Sequence, residues 1–139
     1  MRVLFHVEDD DGIAAVFRAA VEEARIDATV SRVVGGEQAL RYLRGAGLYS
    51  GATRPDIVFL DLNMPDVDGW RVLWEIGADE SLRSIPVVVL TTSSRQSDKD
   101  HAFALGARHY ITKPSSFDEW IIEVHSACRR FMPSAAAGA

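Results

Sequence analysis

Val3-Leu4-Phe5-His6-Val7 runs straight into Glu8-Asp9-Asp10, and Ile57-Val58-Phe59-Leu60 runs straight into Asp61. The pattern returns at Val87-Val88-Val89-Leu90, which meets Thr91, and at Tyr110-Ile111-Thr112, which meets Lys113. If these apolar runs are neighbouring parallel strands, the polar groups that end them project at one edge of one sheet. Open α/β sheets bind ligands in the crevice beyond the carboxyl ends of their strands. Several carboxylates, a hydroxyl and one lysine would share that crevice. Such a set suits a cation and a phosphoryl group.

Between the runs the apolar spacing turns helical, which is the signature of βα units around a parallel sheet. Ile13, Val16, Phe17, Ala20, Val21 and Ala24 mark the first helix. A second strand is expected from Ala28 to Val34, ending at Gly35-Gly36, and a short helix follows with Ala39, Leu40 and Leu43 inward. Met64-Pro65 and Asp68-Gly69 form a loop before a helix with Val72, Leu73 and Ile76 on one face. Pro86 opens the fourth strand, a position where Pro is tolerated. The segment from Ser94 to Ala107 is the weakest helix, with only Ala102, Phe103 and Leu105 to face inward. Few buried contacts mark an element that moves in switching. The last helix opens on a capping box, Ser116 with Glu119, and carries the stripe Phe117, Trp120, Ile121, Val124, Cys128 and Phe131. Pro133 is expected to stop it. The reading is one domain over 1–132, followed by a flexible tail over 133–139.

The composition fits that reading. A chain of 139 residues with 47% hydrophobic and 25% charged residues has the length and composition to bury a core. A net charge of −5 argues against a nucleic-acid surface, for which a basic face is expected. No apolar run approaches the ~20 residues needed to span a bilayer, so neither leader nor membrane anchor is expected. The single Cys128 makes no internal disulfide, which points to a reducing cytoplasm, and it lies on an apolar helical stripe as a core residue.

Asp61 is the candidate nucleophile, since carboxylates form covalent phosphoryl intermediates. Glu8, Asp9 and Asp61 crowded against Lys113 alone would raise one another's pKa values unless a cation neutralised them. Oxygen donors with no His or Cys nearby select Mg²⁺ or Mn²⁺. Thr91 supplies a hydroxyl, and Lys113 an ammonium, to the remaining phosphoryl oxygens.

Glu8-Asp9 after a first strand, Asp61-Leu62-Asn63-Met64-Pro65 with Asp68-Gly69, Thr91, and Tyr110 before Lys113-Pro114 together resemble the receiver domain of bacterial two-component response regulators. The resemblance runs from Arg2 to about Met132. It implies an α/β flavodoxin-like fold: a doubly wound, five-stranded parallel sheet in the order 2-1-3-4-5, with five helices. It also implies phosphotransfer from a histidine kinase to Asp61, with output through a downstream protein. By carry-over, Asp9, Asp61 and the backbone carbonyl of Asn63 bind Mg²⁺ directly and Glu8 acts mainly through water. Thr91 and Tyr110 would be a switch pair, the Tyr110 ring turning in as the Thr91 hydroxyl is drawn to the phosphoryl group.

Gly45-Ala46-Gly47-Leu48-Tyr49-Ser50-Gly51 lengthens the connection before the third strand. With Leu90-Thr91-Thr92-Ser93-Ser94 and Tyr110-Ile111-Thr112-Lys113-Pro114, it is similar to stand-alone receivers partnered with bacterial phytochromes. His6, where the family carries an aliphatic residue, and Thr92, where it commonly carries Ala, depart from the pattern. That resemblance also points to a homodimer, and Ile122, which falls off the apolar stripe of the last helix, would then face the partner with nearby Met132.

Plainer readings stand beside these. Asp10 or Asp11 is expected to cap a helix. His6, His101, His109 and His125 show no ligand spacing. Trp70 and Trp74 pad the edge of the third helix, and Gly35-Gly36 is no phosphate fingerprint. Two rival functions are a phosphohydrolase and a receiver-like binding module that is never phosphorylated. The hydrolase needs a second acid two residues after its nucleophile, where Asn63 stands. No enzyme activity is expected beyond phosphotransfer and dephosphorylation at the chain's own aspartate.

Overall fold

The computed structural model describes residues 2–132. The expected tail over 133–139, and the expected stop at Pro133, lie outside the described residues. Five strands alternate with five helices: β1 Val3–Val7, α1 Asp11–Glu23, β2 Thr29–Val33, α2 Gly36–Arg44, β3 Ile57–Leu60, α3 Gly69–Ala78, β4 Val87–Thr91, α4 Gln96–Ala104, β5 His109–Thr112 and α5 Phe117–Phe131. All pair in parallel, in the order β2-β1-β3-β4-β5, as the resemblance implied.

The strands alternate between two layers because successive side chains leave a strand on opposite faces. Phe5, Val7, Val58 and Leu60 meet Ala39, Leu40, Val72, Leu73 and Ile76 on one face. Leu4, Ile57 and Phe59 meet Phe17, Trp120, Val124 and Cys128 on the other. Burial on both faces is why β1, β3 and β4 read as unbroken apolar runs. β2 is an edge strand, and its residues from Thr29 to Arg32 are exposed or half-buried.

Capping follows the sequence. The side chains of Asp10, Asp68 and Ser116 accept from the backbone N–H groups of Ile13, Arg71 and Glu119 and so open α1, α3 and α5. Cys128 is buried, and burial pushes its thiol up to about 12. No helix among the described residues is long and apolar enough to cross a membrane.

Several expectations need correction. The fourth helix is shorter than expected and buries Ala102 alone; Phe103, one step of about 100° around the helix, is 47% exposed. Phe117 opens α5 at the rim of the sheet and is 43% exposed rather than part of the buried stripe. Trp74 is exposed, whereas Trp70 stacks on His101 with ring centroids 4.4 Å apart. Met132 is 2% exposed and belongs to the core under α1 and α5, so it cannot face a partner. Ile122 does face outward, 63% exposed.

Candidate phosphoryl and cation site

The register of the sheet assembles the site. Val7 of β1 lies opposite Leu60 of β3, so the next residues of the two chains, Glu8 and Asp61, leave the sheet together. The backbone N–H of Asp61 donates to the carbonyl of Val7 at 3.1 Å and locks that register at the rim. Gly69 brings the start of α3 against the backbone of Asp61. A Cβ there would lie 2.2 Å from the Asp61 carbonyl oxygen, so only glycine permits this approach. Two strands away, the backbone N–H of Lys113 donates to the carbonyl of Thr91 at 2.6 Å, which carries β5's polar end into the same crevice.

Glu8, Asp9 and Asp61 each offer a carboxylate oxygen, and these atoms lie within 4.8 Å of one another. Glu8 and Asp61 are buried while Asp9 faces solvent. The Lys113 ammonium sits 2.8 Å from Oε1 of Glu8 and 3.3 Å from Oδ2 of Asp61. The other oxygens are oriented by the main chain: the N–H of Asp10 donates to Oε2 of Glu8 at 3.2 Å, and the N–H of Asn63 to Oδ1 of Asp61 at 3.1 Å. Asp10, Ile13, Asn63 and Thr92 complete the walls of the open cleft.

The charges leave room for a cation. Burial pushes the Glu8 carboxyl above its ordinary range, with the Lys113 ammonium opposing that rise. Burial works to lower the Lys113 pKa, but Glu8 and Asp61 outweigh it and hold the ammonium charged. Three carboxylates against one ammonium leave an excess of negative charge on all-oxygen donors. That donor set fits a hard divalent ion such as Mg²⁺ or Mn²⁺.

Thr91 and Tyr110 are placed differently from the acids. Thr91 is fully buried beneath the cleft, and its hydroxyl accepts from the Asn63 side-chain amide at 3.4 Å. Thr92 is the threonine that lines the opening. The Tyr110 ring is packed inward, 9% exposed, and its hydroxyl donates to the Ser93 carbonyl at 2.9 Å. Thr112 donates to the same carbonyl at 3.4 Å, and the Ser93 hydroxyl donates to Asp98 of α4. Ser93 thus joins β5 to α4. The sequence holds no local signal for that role, because its partners lie on elements brought together only by the fold.

A doubly wound sheet with these groups at its carboxyl edge defines a class: an α/β domain that holds a cation and a phosphoryl group in one crevice. The model of the response regulator receiver domain matches residues 4–125, and the chain belongs to that family. It is 39% identical over 119 residues to the probable methanogenesis regulatory protein FilR2 of Methanothrix harundinacea, covering 84% of this chain and 75% of that one. It is 35% identical over 112 residues to the response regulator Rcp1 of Synechocystis, covering 81% and 76%. Among solved structures, the phosphorylated cyanobacterial phytochrome response regulator RcpA aligns with a TM-score of 0.89 at 36% identity, over 96% of each chain. The Mn²⁺-bound form of Rcp1 aligns with a TM-score of 0.85 at 31% identity, over 93% of each chain.

Proposed function

We propose that this chain is a two-component receiver, its domain running over 1–132, that takes a phosphoryl group from a histidine kinase onto Asp61. The observation that carries this reading is the Lys113 ammonium, held between Glu8 and Asp61 beside the three-carboxylate cluster. One Asp61 carboxylate oxygen attacks the donor's phosphorus in line. The phosphorus–nitrogen bond to the kinase histidine breaks as the acyl phosphate bond forms, and the imidazole leaves with the electron pair. Lys113 holds a phosphoryl oxygen, and Thr91 supplies a hydroxyl to another. Asp9, Asp61 and the Asn63 carbonyl would hold Mg²⁺, or Mn²⁺ in its place, with Glu8 acting through water. A bound divalent ion supplies neutralisation of the charge on the carboxylates and the phosphoryl oxygens.

Thr91 and Tyr110 form the switch, with Ser93 carrying the Tyr110 position into α4. The kinase is a bacterial phytochrome, in keeping with the phytochrome response regulator RcpA. The protein works in the cytoplasm, passes its state to a downstream protein, and pairs as a homodimer through α5 at Ile122. Its chemistry is confined to its own aspartate. The phosphohydrolase reading lacks its acid, because Asn63 stands two residues after Asp61 where a carboxyl is needed.

Incubation with acetyl phosphate and Mg²⁺, with protein-bound and free phosphate followed together, tests the reading. A receiver carries a single bound phosphoryl group, stable or transient. Many free phosphates released per chain at chemical turnover rates would instead mark a hydrolase, and no bound phosphate would mark an unphosphorylated binding module.

A further inference from the structure

Arg32 stands on the edge strand β2, away from the residues that meet in the cleft, yet its guanidinium reaches the acidic turn after β1. Its Nε–H donates to the Glu8 carbonyl oxygen at 3.0 Å, and Nη1 donates to Oδ1 of Asp11 at 2.8 Å. The backbone N–H of Glu8 donates to the Val33 carbonyl at 3.1 Å. Both main-chain groups of Glu8 are therefore held from β2. In a parallel ladder, a strand continuing past Val33 would offer a backbone N–H to the Glu8 carbonyl. β2 ends at Val33, and the Arg32 side chain supplies a donor in that place. Only 18% of the Arg32 side chain is exposed, against 92% of Asp11. The arginine is the fixed partner of the pair.

We propose that Arg32 is a positioning residue for the cation site. By holding the turn from Glu8 to Asp11 against β2, it sets the direction in which Glu8 and Asp9 present their carboxylates to Asp61. The inference rests on reading Glu8, Asp9 and Asp61 as the group that holds the cation. A planar fork is suited to this task because it reaches two acceptors at a fixed angle, whereas a lysine offers one point donor.

Positioning and simple charge predict opposite signs. A guanidinium acting through charge alone repels a divalent cation, so its removal would tighten metal binding. A guanidinium acting as a strut orients the ligand-bearing turn, so its removal weakens binding. A side chain that only stabilises the fold changes neither in a protein that is still folded.

The test is a titration with Mn²⁺ alone, reading free Mn²⁺ by electron paramagnetic resonance, on full-length wild type, Arg32→Met, Arg32→Lys and Asp9→Asn. Each protein is first confirmed folded by circular dichroism. Arg32→Met should weaken Mn²⁺ binding by about tenfold, the lower end of losses seen when groups that orient metal ligands are removed. Arg32→Lys, with its charge kept, should fall between Arg32→Met and wild type. Should Arg32→Met not fold, weaker binding by Arg32→Lys than by wild type carries the inference. Unchanged or tighter binding in folded Arg32→Met, or in Arg32→Lys where that variant stands alone, would overturn it, provided Asp9→Asn weakens binding. Unchanged binding by Asp9→Asn would overturn the underlying reading of the acids as metal ligands.

Discussion

The Lys113 ammonium lies 2.8 Å from Oε1 of Glu8, a carboxylate that is 1% exposed and has no other partner for that oxygen. The lysine is therefore the buried glutamate's counter-charge. Lys113→Ala should lower stability by about 1–3 kcal/mol, less than a fully enclosed pair would cost because the cleft opens to water. Mg²⁺ should restore part of that loss and bind more tightly than to wild type, since a competing positive charge is gone. Urea unfolding with and without MgCl₂ reads both effects. An unchanged midpoint in the metal-free variant would contradict the counter-charge role.

Gly69→Ala should be costly in a way no other feature of α3 suggests. Its Cβ would meet the Asp61 carbonyl oxygen at 2.2 Å and the Leu62 Cα at 2.5 Å, both rigid backbone atoms. A loss of about 2–3 kcal/mol is expected, with slower phosphorylation by acetyl phosphate because the nucleophile's own peptide must shift. A variant of wild-type stability and rate would show that the close approach is not needed.

His6 sets a distinct acid response. It is 1% exposed, stacks on Phe17 at 4.0 Å, and neither ring nitrogen has a hydrogen-bond partner. Burial, aided by the charges of Lys113, Arg32 and Arg18, pushes its pKa down from 6.5 to about 3. The unfolded chain then binds a proton that the folded chain refuses. The contribution of His6 to stability is thus intact above about pH 6.5 and is lost toward pH 3, by up to ~1.4 kcal/mol per pH unit. His6→Leu should gain about 1–2 kcal/mol at pH 7 by removing an unpartnered polar ring, and it should flatten the fall between pH 7 and pH 5. Parallel losses over that range in both proteins would contradict this account.

Tyr110→Phe removes the hydroxyl that donates to the Ser93 carbonyl. The expected cost is about 1 kcal/mol, concentrated in α4, which buries only Ala102 and is joined to Ser93 through Asp98. Faster hydrogen exchange in α4, with the other helices unchanged, is the predicted outcome.

Ile122→Glu tests the dimer. Ile122 is 63% exposed on α5, and a charge there should split a dimer while leaving the monomer folded. Light scattering well above micromolar concentration should find a wild-type dimer and a monomeric variant. A monomeric wild type, with and without phosphodonor, would remove the homodimer from the account.

Much of this was readable in the chain, and the unread parts share a cause. β1, β3 and β4 announced themselves because strands covered on both faces must be apolar throughout, and the acids stood out because they end those runs. β2 was blurred by its place at the edge, where half-exposed positions lose the pattern. Phe103 was misread because it lies about 100° around the helix from Ala102, and Phe117 because helical spacing does not show that the first residue of α5 lies at the rim. Met132 looked like a surface residue beyond the stripe, yet α1 and α5 close over it. The strand order came from the resemblance rather than from the periodicity. Arg32 and Ser93 were not found at all: each acts through partners on other elements, and a polar residue in a half-exposed strand or loop carries no sign of them.

The central claim, that Asp61 is the acceptor, is tested most directly by intact mass spectrometry of wild type and Asp61→Asn after incubation with acetyl phosphate and Mg²⁺. Asp61→Asn relieves carboxylate crowding, so the variant should be folded and at least as stable as wild type. The account predicts one added phosphoryl group on wild type and none on the variant. A folded Asp61→Asn protein that still gains a phosphoryl group, or a wild type that gains none, would contradict it.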